Sequence, residues 1–262
     1  MGKRASYEPG TFCWVDLATT DPEGAKTFYG ELFGWEAEEM PVGEDTTYAV
    51  QRLGGDDICG LYELPADQRE QSVPPYWHTL VSVESADTAA EKARDLGGKL
   101  LAEPFDVLDA GRMSVIQDPA GAVFSVWQPR AHIGATRVND VGCMGWNELN
   151  TREPDKASEF YSGLFGWEME RMEEGGELAY AVIQNNGRSN GGVMPMTEQH
   201  GDAPPFWLPY FTVDSCDAAA ARIKDLGGAV FVEPFEPGAG RISVVSDPQG
   251  AVFAIFEGET DD

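Results

Sequence analysis

Basic residues are scarce in this 262-residue chain, where 18 Lys and Arg stand against 45 Asp and Glu. The formal net charge is therefore −27. Such a charge argues against nucleic acid and against an anionic membrane surface as partners, because both attract positively charged proteins. Solubility is the simplest explanation of the acidity, and a salt-tolerant surface is the alternative.

Paired cysteines and long apolar runs are also missing. The four cysteines, Cys13, Cys59, Cys143 and Cys216, form no C-x-x-C pair, so neither a zinc knuckle nor a redox dithiol is indicated. No apolar run is long enough for a transmembrane helix, and the first residues lack the apolar stretch of a signal peptide. We therefore expect a cytoplasmic protein with reduced thiols, a monomer or weak homodimer.

The strongest pattern in the sequence is an internal repeat. FYGELFGWE at 28–36 returns as FYSGLFGWE at 160–168, and TYAV at 47–50 returns as AYAV at 179–182. PPYWHTLVSV at 74–83 returns as PPFWLPYFTV at 204–213, and DLGGKLLAEPF at 95–105 as DLGGAVFVEPF at 225–235. GRMSVIQDPAGAVFSVW at 111–127 returns as GRISVVSDPQGAVFAIF at 240–256. The order of the matches predicts a first module over 1–128, a linker over 129–140 and a second module over 141–262.

Each copy is predicted to alternate strands with two helices. The first helix follows the cap Asp21-Pro22 and ends at Gly34. The second helix has an alanine stripe and stops at 97–98, where two glycines follow one another. Residues 77–83 alternate as a strand does, and D-P-x-G at 118–121 is a turn into the final strand. The pattern gives two strand–helix–strand units in each copy.

A helix ending in FY-x-x-LFGW, an alternating strand after a proline pair and D-P-x-G before the last strand resemble the glyoxalase/bleomycin-resistance/extradiol-dioxygenase superfamily, also called the vicinal oxygen chelate superfamily. The resemblance covers nearly the whole chain, twice. It implies an α+β fold of two tandem glyoxalase-like modules, each of paired βαβββ units. The mixed sheets are expected to form a shared cup-shaped barrel about a pseudo-twofold axis.

The resemblance also implies a divalent metal held by side chains of the first, middle and last strands of a module. The slots that match in this chain are Trp14, His78 and Ser125 in the first copy, and Trp146, Leu208 and Ala254 in the second. Only His78 offers a good donor, and even a catalytic zinc needs about three protein ligands. We therefore expect that the metal site is lost and that the protein uses no metal and no cofactor.

Strand alternation places further side chains on the inner face of the cup. Asp16 and Glu148 follow the two first-strand tryptophans and, with His78, are the candidate catalytic groups. Candidate ligand-binding residues are Trp14, Trp146, Ser125, Trp127, Tyr210 and Phe256. Arg112 and Arg241 either clamp an anionic group or hold the acidic D-P-x-G turns; we favour the turns. His132 lies in a loop and carries no signal.

Two classes of function remain open, with a third as a variant of the second. The chain either binds a small hydrophobic, aromatic or dicarbonyl metabolite, or is a metal-independent lyase, isomerase or hydrolase. In the enzyme, His78 is the general base and Asp16 or Glu148 orients it. The variant is a metal-dependent glyoxalase or hydroxylase/dioxygenase that uses Asp16, His78 and Glu148 in an altered register.

Overall fold

The computed structural model describes residues 2–42, 47–238 and 240–260, and these fold into two similar modules. The elements of the first module are β1 (Phe12–Thr19), α1 (Pro22–Phe33), β2 (Glu36–Pro41), β3 (Thr47–Leu53), β4 (Asp56–Glu63), α2 (Ala66–Glu70), β5 (Tyr76–Ser82), α3 (Ala86–Asp95), β6 (Lys99–Val107), β7 (Gly111–Gln117) and β8 (Val123–Pro129). Those of the second are β9 (Met144–Thr151), α4 (Pro154–Phe165), β10 (Glu168–Glu174), β11 (Glu177–Asn185), β12 (Arg188–Pro195), a 3-10 turn (Glu198–His200), β13 (Phe206–Thr212), α5 (Cys216–Asp225), β14 (Ala229–Phe235), β15 (Arg241–Ser246) and β16 (Val252–Glu257).

Each module is one eight-stranded mixed sheet. The first sheet has the order β2-β3-β4-β1-β5-β8-β7-β6, and the second repeats it as β10-β11-β12-β9-β13-β16-β15-β14. The two βαβββ units of a module meet where β1 pairs antiparallel with β5, or β9 with β13. The predicted α+β fold of two tandem modules is confirmed, and neither sheet is closed into a barrel.

The two predicted helices of each module begin and end close to where the sequence predicts, and the short helix α2 is additional. Asp21 caps α1 by accepting a hydrogen bond from the Gly24 amide at 3.0 Å, and Gly34 ends it with a φ of 76°. That left-handed conformation costs glycine little. In α3 the alanine stripe is buried against the sheet, and Ser85 caps the helix. No helix in the described part of the chain is long and apolar enough to cross a membrane.

The two modules pack through the outer faces of their sheets, with aromatic side chains of α1 and α4 between them. Tyr29 of α1 contacts Trp77 of its own sheet and Phe253 of the other. Trp77 in turn lies 5.0 Å from Phe211, between ring centroids. Trp77, Phe211 and Phe253 thus lie on the outer faces, and burying them brings those faces together.

This packing corrects the expectation of one shared cup. Trp14 and Asp16 lie on the inner face of the first sheet, opposite to Val15 and Leu17, which belong to the common core. The inner face of the second sheet carries a separate apolar cluster that includes Leu208. Each module therefore keeps its own cup, and the cups lie on opposite sides of the common core.

Candidate functional site

Cup 1 is the inner face of the first sheet, and its centre is a hydrogen-bonded carboxylate. Asp16 of β1 lies directly opposite His78 of β5. The Trp14 indole donates to Asp16 Oδ1 and to the Tyr48 hydroxyl, both at 2.8 Å, and the Tyr48 hydroxyl donates to Asp16 Oδ1 at 2.5 Å. A Cβ at Gly60 would lie 1.9 Å from the Tyr48 hydroxyl, so glycine at this position makes room for the network.

Burial shifts the pKa values of Asp16 and His78 in cup 1 in opposite directions. Loss of hydration raises the pKa of Asp16 to about 6, against the lowering effect of the hydrogen bonds from Tyr48 and Trp14. Burial lowers the pKa of His78 to about 4. His78 Nε2 lies 2.7 Å from Ser125 Oγ. At neutral pH, cup 1 therefore holds an ionised carboxylate beside a neutral imidazole.

The segment between the modules covers one end of cup 1. The His132 ring meets Trp14 edge-on, with centroids 4.7 Å apart, and its carbonyl accepts a hydrogen bond from the Trp127 indole at 2.9 Å. The Ala135 amide then donates to the Cys13 carbonyl. Trp14 is consequently only 3% exposed. His132 carries no signal in the sequence, because a contact between a loop histidine and a distant tryptophan leaves no local pattern.

Cup 2, on the second sheet, holds a buried carboxylate, Glu148. Glu148 accepts a hydrogen bond from Asn150 Nδ2 at 3.2 Å. The Trp146 indole donates to the Tyr180 hydroxyl at 3.0 Å. Burial raises the pKa of Glu148, although the nearby polar groups of Tyr210, Asn150 and Tyr180 oppose the rise.

The remainder of cup 2 is apolar and more open. Leu208 and Ala254 stand where cup 1 has His78 and Ser125. Partly exposed side chains lie against them, among them Phe206, Ile242 and Phe256. Trp146 is also partly exposed, whereas its counterpart Trp14 is covered. A flat ligand therefore finds an accessible aromatic surface in cup 2.

The structure divides the predicted site residues between the two cups. Cup 1 contains Trp14, Asp16, His78, Ser125 and Trp127, and cup 2 contains Trp146, Glu148, Tyr210 and Phe256. Asp16 and His78 are neighbours, but Glu148 lies in the other cup. The hypothesis of an altered metal register built from Asp16, His78 and Glu148 is therefore wrong, because the common core separates them.

The donors present do not fit a metal of the kind that the resemblance implies. Of the three slots of cup 1, His78 offers an imidazole, Ser125 offers a weakly ligating hydroxyl, and the Trp14 indole is not a metal ligand. The slots of cup 2 are occupied by Trp146, Leu208 and Ala254, which offer no metal ligand. Asp16 adds one carboxylate to cup 1. Among residues 2–42, 47–238 and 240–260, no three His, Cys, Asp or Glu side chains are grouped closely enough to hold a metal ion.

The paired arginines have a structural role, but not at the predicted turns. Arg112 forms two hydrogen bonds to Asp87, at the start of α3, and Arg241 forms one to Asp217, at the start of α5. The D-P-x-G aspartates instead accept hydrogen bonds from their own turn amides, as Asp118 does from the Ala122 amide. Each arginine therefore connects a helix to the sheet of its own module through these ion pairs.

Sequence reasoning missed Tyr48, which donates to Asp16, and Tyr180, which accepts from the Trp146 indole. The signal was present in the repeated TYAV and AYAV segments. Each tyrosine ring also reaches over a glycine on the next strand, and a Cβ at Gly192 would lie 1.8 Å from the Tyr180 hydroxyl. The glycines pair with Val50 and Val182, two residues beyond the tyrosines, so each ring lies across the sheet.

Comparison with known proteins agrees with this architecture. The profile of the Glyoxalase/Bleomycin resistance protein/Dioxygenase superfamily matches residues 11–126 and 141–255. The chain is 41% identical to "Putative glyoxylase CFP32" of Mycobacterium tuberculosis, over 98% of each chain, and 30% identical to "Anthracycline biosynthesis protein DnrV" of Streptomyces peucetius, over 96% of this chain and 94% of that one. The Mn(II)-bound glyoxalase from Novosphingobium aromaticivorans has a similar fold, with a TM-score of 0.66 at 15% identity over 97% of this chain and 85% of that one. The chain therefore belongs to the glyoxalase/bleomycin resistance protein/dioxygenase superfamily.

Proposed function

We propose that this protein binds a small, flat organic molecule without a metal, and that cup 2 is its principal binding site. The observation that carries the proposal is the partly exposed Trp146 beside an apolar wall that contains one buried carboxylate. Flat rings stack on tryptophan, and a few polar groups in an apolar pocket fix the orientation of a ligand. Cup 1 offers less surface for stacking, because His132 covers Trp14.

The names of the relatives support an aromatic or dicarbonyl ligand. One relative is named for anthracycline biosynthesis, and anthracyclines are planar polycyclic compounds. Another carries the word glyoxylase, which points to a small carbonyl compound. Both classes fit an apolar cup with a single polar end, and neither needs a metal in order to bind.

The ligand itself is the first test of this proposal. The protein is purified from its native extract without denaturation, and the small molecules that accompany it are identified by mass spectrometry. We expect a planar aromatic or dicarbonyl compound that changes the tryptophan fluorescence when it is added back. Recovery of a nucleotide or an acyl lipid instead would contradict the proposal.

A second candidate function, metal-free proton transfer, is favoured by the pair Asp16 and His78 in cup 1. Sequence reasoning makes His78 the base, but a pKa of about 4 makes it a weak one. Asp16, with a pKa of about 6, is the stronger base. In this reading, the Asp16 carboxylate removes a proton from the carbon beside a substrate carbonyl, which leaves an enolate, and the protonated Asp16 returns the proton to that same carbon. His78 and Ser125 would orient the carbonyl.

Deuterium exchange tests this second candidate without a known substrate. We expect the protein to accelerate exchange of the methyl protons of 1-phenyl-1,2-propanedione in D₂O, followed by NMR. Asp16→Asn should reduce the protein-dependent rate by about 10²–10⁴-fold, the usual contribution of a general base. An exchange rate equal to that of buffer, or one that Asp16→Asn leaves unchanged, would exclude this role.

A further inference from the structure

Strands β5 and β13 present different side chains to their cups. In cup 1, His78 is followed on the inner face by Leu80. In cup 2, Leu208 stands in the place of His78, and Tyr210 stands in the place of Leu80. A polar side chain therefore lies two residues further along the strand in cup 2, a distance of about 7 Å in an extended chain.

This position brings Tyr210 next to the tryptophan of cup 2. Tyr210 of β13 lies directly opposite Trp146 of β9 and beside Ala254 of β16. Residues that are opposite each other on antiparallel strands have Cβ atoms about 4.5–5.5 Å apart. A flat ring that lies against Trp146 is therefore also next to Tyr210.

The Tyr210 hydroxyl has a proton to donate. Burial, followed by the negative charge of nearby Glu148, raises the pKa of Tyr210 well above its ordinary value, so the hydroxyl is protonated at neutral pH. The hydrogen bond of good geometry that Glu148 accepts comes from Asn150 Nδ2. Among the described residues, the Tyr210 hydroxyl itself forms no hydrogen bond of good geometry.

Two neighbouring hydroxyls are less suited to a ligand. The Trp146 indole donates to the Tyr180 hydroxyl and so fixes its position. Thr212 follows Tyr210 on the same face, but its hydroxyl is fully buried and lies over Gly145. Tyr210 is therefore the donor that a ligand on Trp146 meets first.

A ligand that covers Tyr210 removes water from its hydroxyl. A buried donor without an acceptor costs free energy, and a purely apolar ligand would leave Tyr210 in that state. An oxygen atom of the ligand restores the hydrogen bond. An anionic oxygen would also lie near the buried carboxylate of Glu148, whereas the oxygen of a carbonyl group is neutral.

We infer that the ligand of cup 2 carries a neutral carbonyl group, as in an aromatic ketone or a quinone, whose oxygen accepts a hydrogen bond from Tyr210 while the flat ring lies against Trp146. The inference rests on the proposed function, since it names the chemistry of a ligand held in the same cup. Of the ligands proposed above, it selects those that combine a planar ring with a carbonyl group.

Two naphthalene probes of matched shape test this inference by titration calorimetry at neutral pH. A carbonyl oxygen stands in 2-acetonaphthone where 2-isopropenylnaphthalene has a methylene group, so the two probes differ in one hydrogen-bond acceptor. We expect the ketone to bind about ten-fold to a hundred-fold more tightly, the range that corresponds to one buried donor left without a partner. The reference ligand 2-naphthol reports on stacking against Trp146.

Variants locate the preference for the ketone. Tyr210→Phe removes only the hydroxyl, and the preference should disappear. Tyr180→Phe removes the other tyrosine hydroxyl near Trp146, and Tyr76→Phe removes one in the first module. Both are controls in which the ratio of the two affinities should stay close to that of the native protein.

Infrared spectroscopy tests the same contact without comparing affinities. A hydrogen bond weakens a carbonyl bond, so the carbonyl stretch of isotope-labelled 2-acetonaphthone should lie at a lower frequency in the complex with the native protein than in the complex with Tyr210→Phe. If that variant does not fold, the stretch in the native complex is compared with that of the ketone in hexane, where no donor is present. A bound frequency equal to that in hexane would overturn the inference.

The remaining outcomes separate the inference from the proposed function. Equal affinities of the two probes, a preference that survives Tyr210→Phe, or one that is lost in Tyr180→Phe would overturn the inference and leave the proposed function standing. Binding of neither probe nor of 2-naphthol, or binding that Trp146→Ala does not weaken, would contradict both.

Discussion

Tyr29 of the first module donates a hydrogen bond to Asp247 of the second at 3.1 Å, and Tyr161 returns the same contact to Asp118 at 2.9 Å. Both tyrosines come from FY-x-x-LFGW, and both aspartates come from D-P-x-G. The Trp77 indole donates to the Tyr29 hydroxyl on the same side. Two of the three motifs that carry the family resemblance thus join the modules about a pseudo-twofold relation, whereas the strand after the proline pair contributes His78 to cup 1.

Removing one of these hydroxyls should destabilise the whole protein. Tyr29→Phe leaves Asp247 Oδ2 and the Trp77 indole without their buried partner, which costs about 1–3 kcal/mol in the free energy of unfolding. Urea unfolding followed by circular dichroism measures this loss. Tyr76→Phe is the control, because that hydroxyl contacts Gln68 of the short helix α2 and should matter less. Equal losses in the two variants would argue against an interface held by Tyr29.

The half-buried carboxylate of Asp16 in cup 1 should reduce stability at neutral and alkaline pH. Burial raises the pKa of Asp16 to about 6, so the folded protein binds this proton more tightly than the unfolded chain does. Ionising the group therefore costs stability at a pH above 6, and the cost disappears as the pH falls toward 4. Asp16→Asn should raise the free energy of unfolding by about 1–3 kcal/mol at pH 8.

The same variant gains less at pH 5, where Asp16 of the native protein is largely protonated. Urea titrations of both proteins at pH 8 and pH 5 give the difference in the free energy of unfolding at each pH. The contribution of His78 is the same in both proteins and cancels from this difference. A gain that is constant with pH, or larger at pH 5, would show that Asp16 is not held as described.

Because His132 covers one end of cup 1, removal of its ring should increase the solvent access of Trp14. His132→Ala removes the ring that lies edge-on against Trp14 and should make this tryptophan accessible from one side. We expect a red shift of the tryptophan emission and stronger quenching by acrylamide, a neutral quencher that the negative charge does not repel. His200→Ala provides the control, since His200 bonds to Thr197 in a surface turn. Quenching that is the same in both variants would contradict the covering.

The charge of −27 predicts a salt effect on stability. Repulsion among surface carboxylates is screened once the Debye length falls to about 10 Å, near 0.1 M salt. The melting temperature should therefore rise between low and moderate sodium chloride. A melting temperature that is flat or falls over this range would mean that the surface ion pairs, such as Arg112 with Asp106, outweigh the repulsion.

The repeat and the helix caps made most of the fold predictable. Residues such as Asp21 and Gly34 act locally, so their effect can be read without the rest of the chain. Strand β2 was not predicted, because its sequence EAEEMP is exposed throughout and shows no alternation. It lies at the edge of the sheet, where charge prevents pairing with other chains and hides the strand pattern. The charged strand β10 repeats this feature.

The sequence predicted on which face of a sheet the candidate residues lie, but not which of the two cups contains each residue. Strand alternation correctly placed Trp14, Asp16 and His78 on one inner face. Glu148 is separated from them because of the way in which the two sheets pack. That packing is determined jointly by the aromatic residues of the outer faces. His132 was missed for the same reason, since its contact with Trp14 joins residues far apart in the sequence. Contacts of that kind follow from the assembled core and leave no local pattern.

The central claim is that cup 2, through Trp146, is the principal binding surface. The most direct measurement is the affinity of 2-naphthol for the native protein, Trp146→Ala and Trp14→Ala, by titration calorimetry with folding checked by near-ultraviolet circular dichroism. We predict that Trp146→Ala weakens binding by about 1–3 kcal/mol, the loss of a large aromatic contact. Trp14→Ala should lower stability but leave the affinity close to that of the native protein. Weaker binding in Trp14→Ala with no change in Trp146→Ala would place the ligand in cup 1 and contradict the claim.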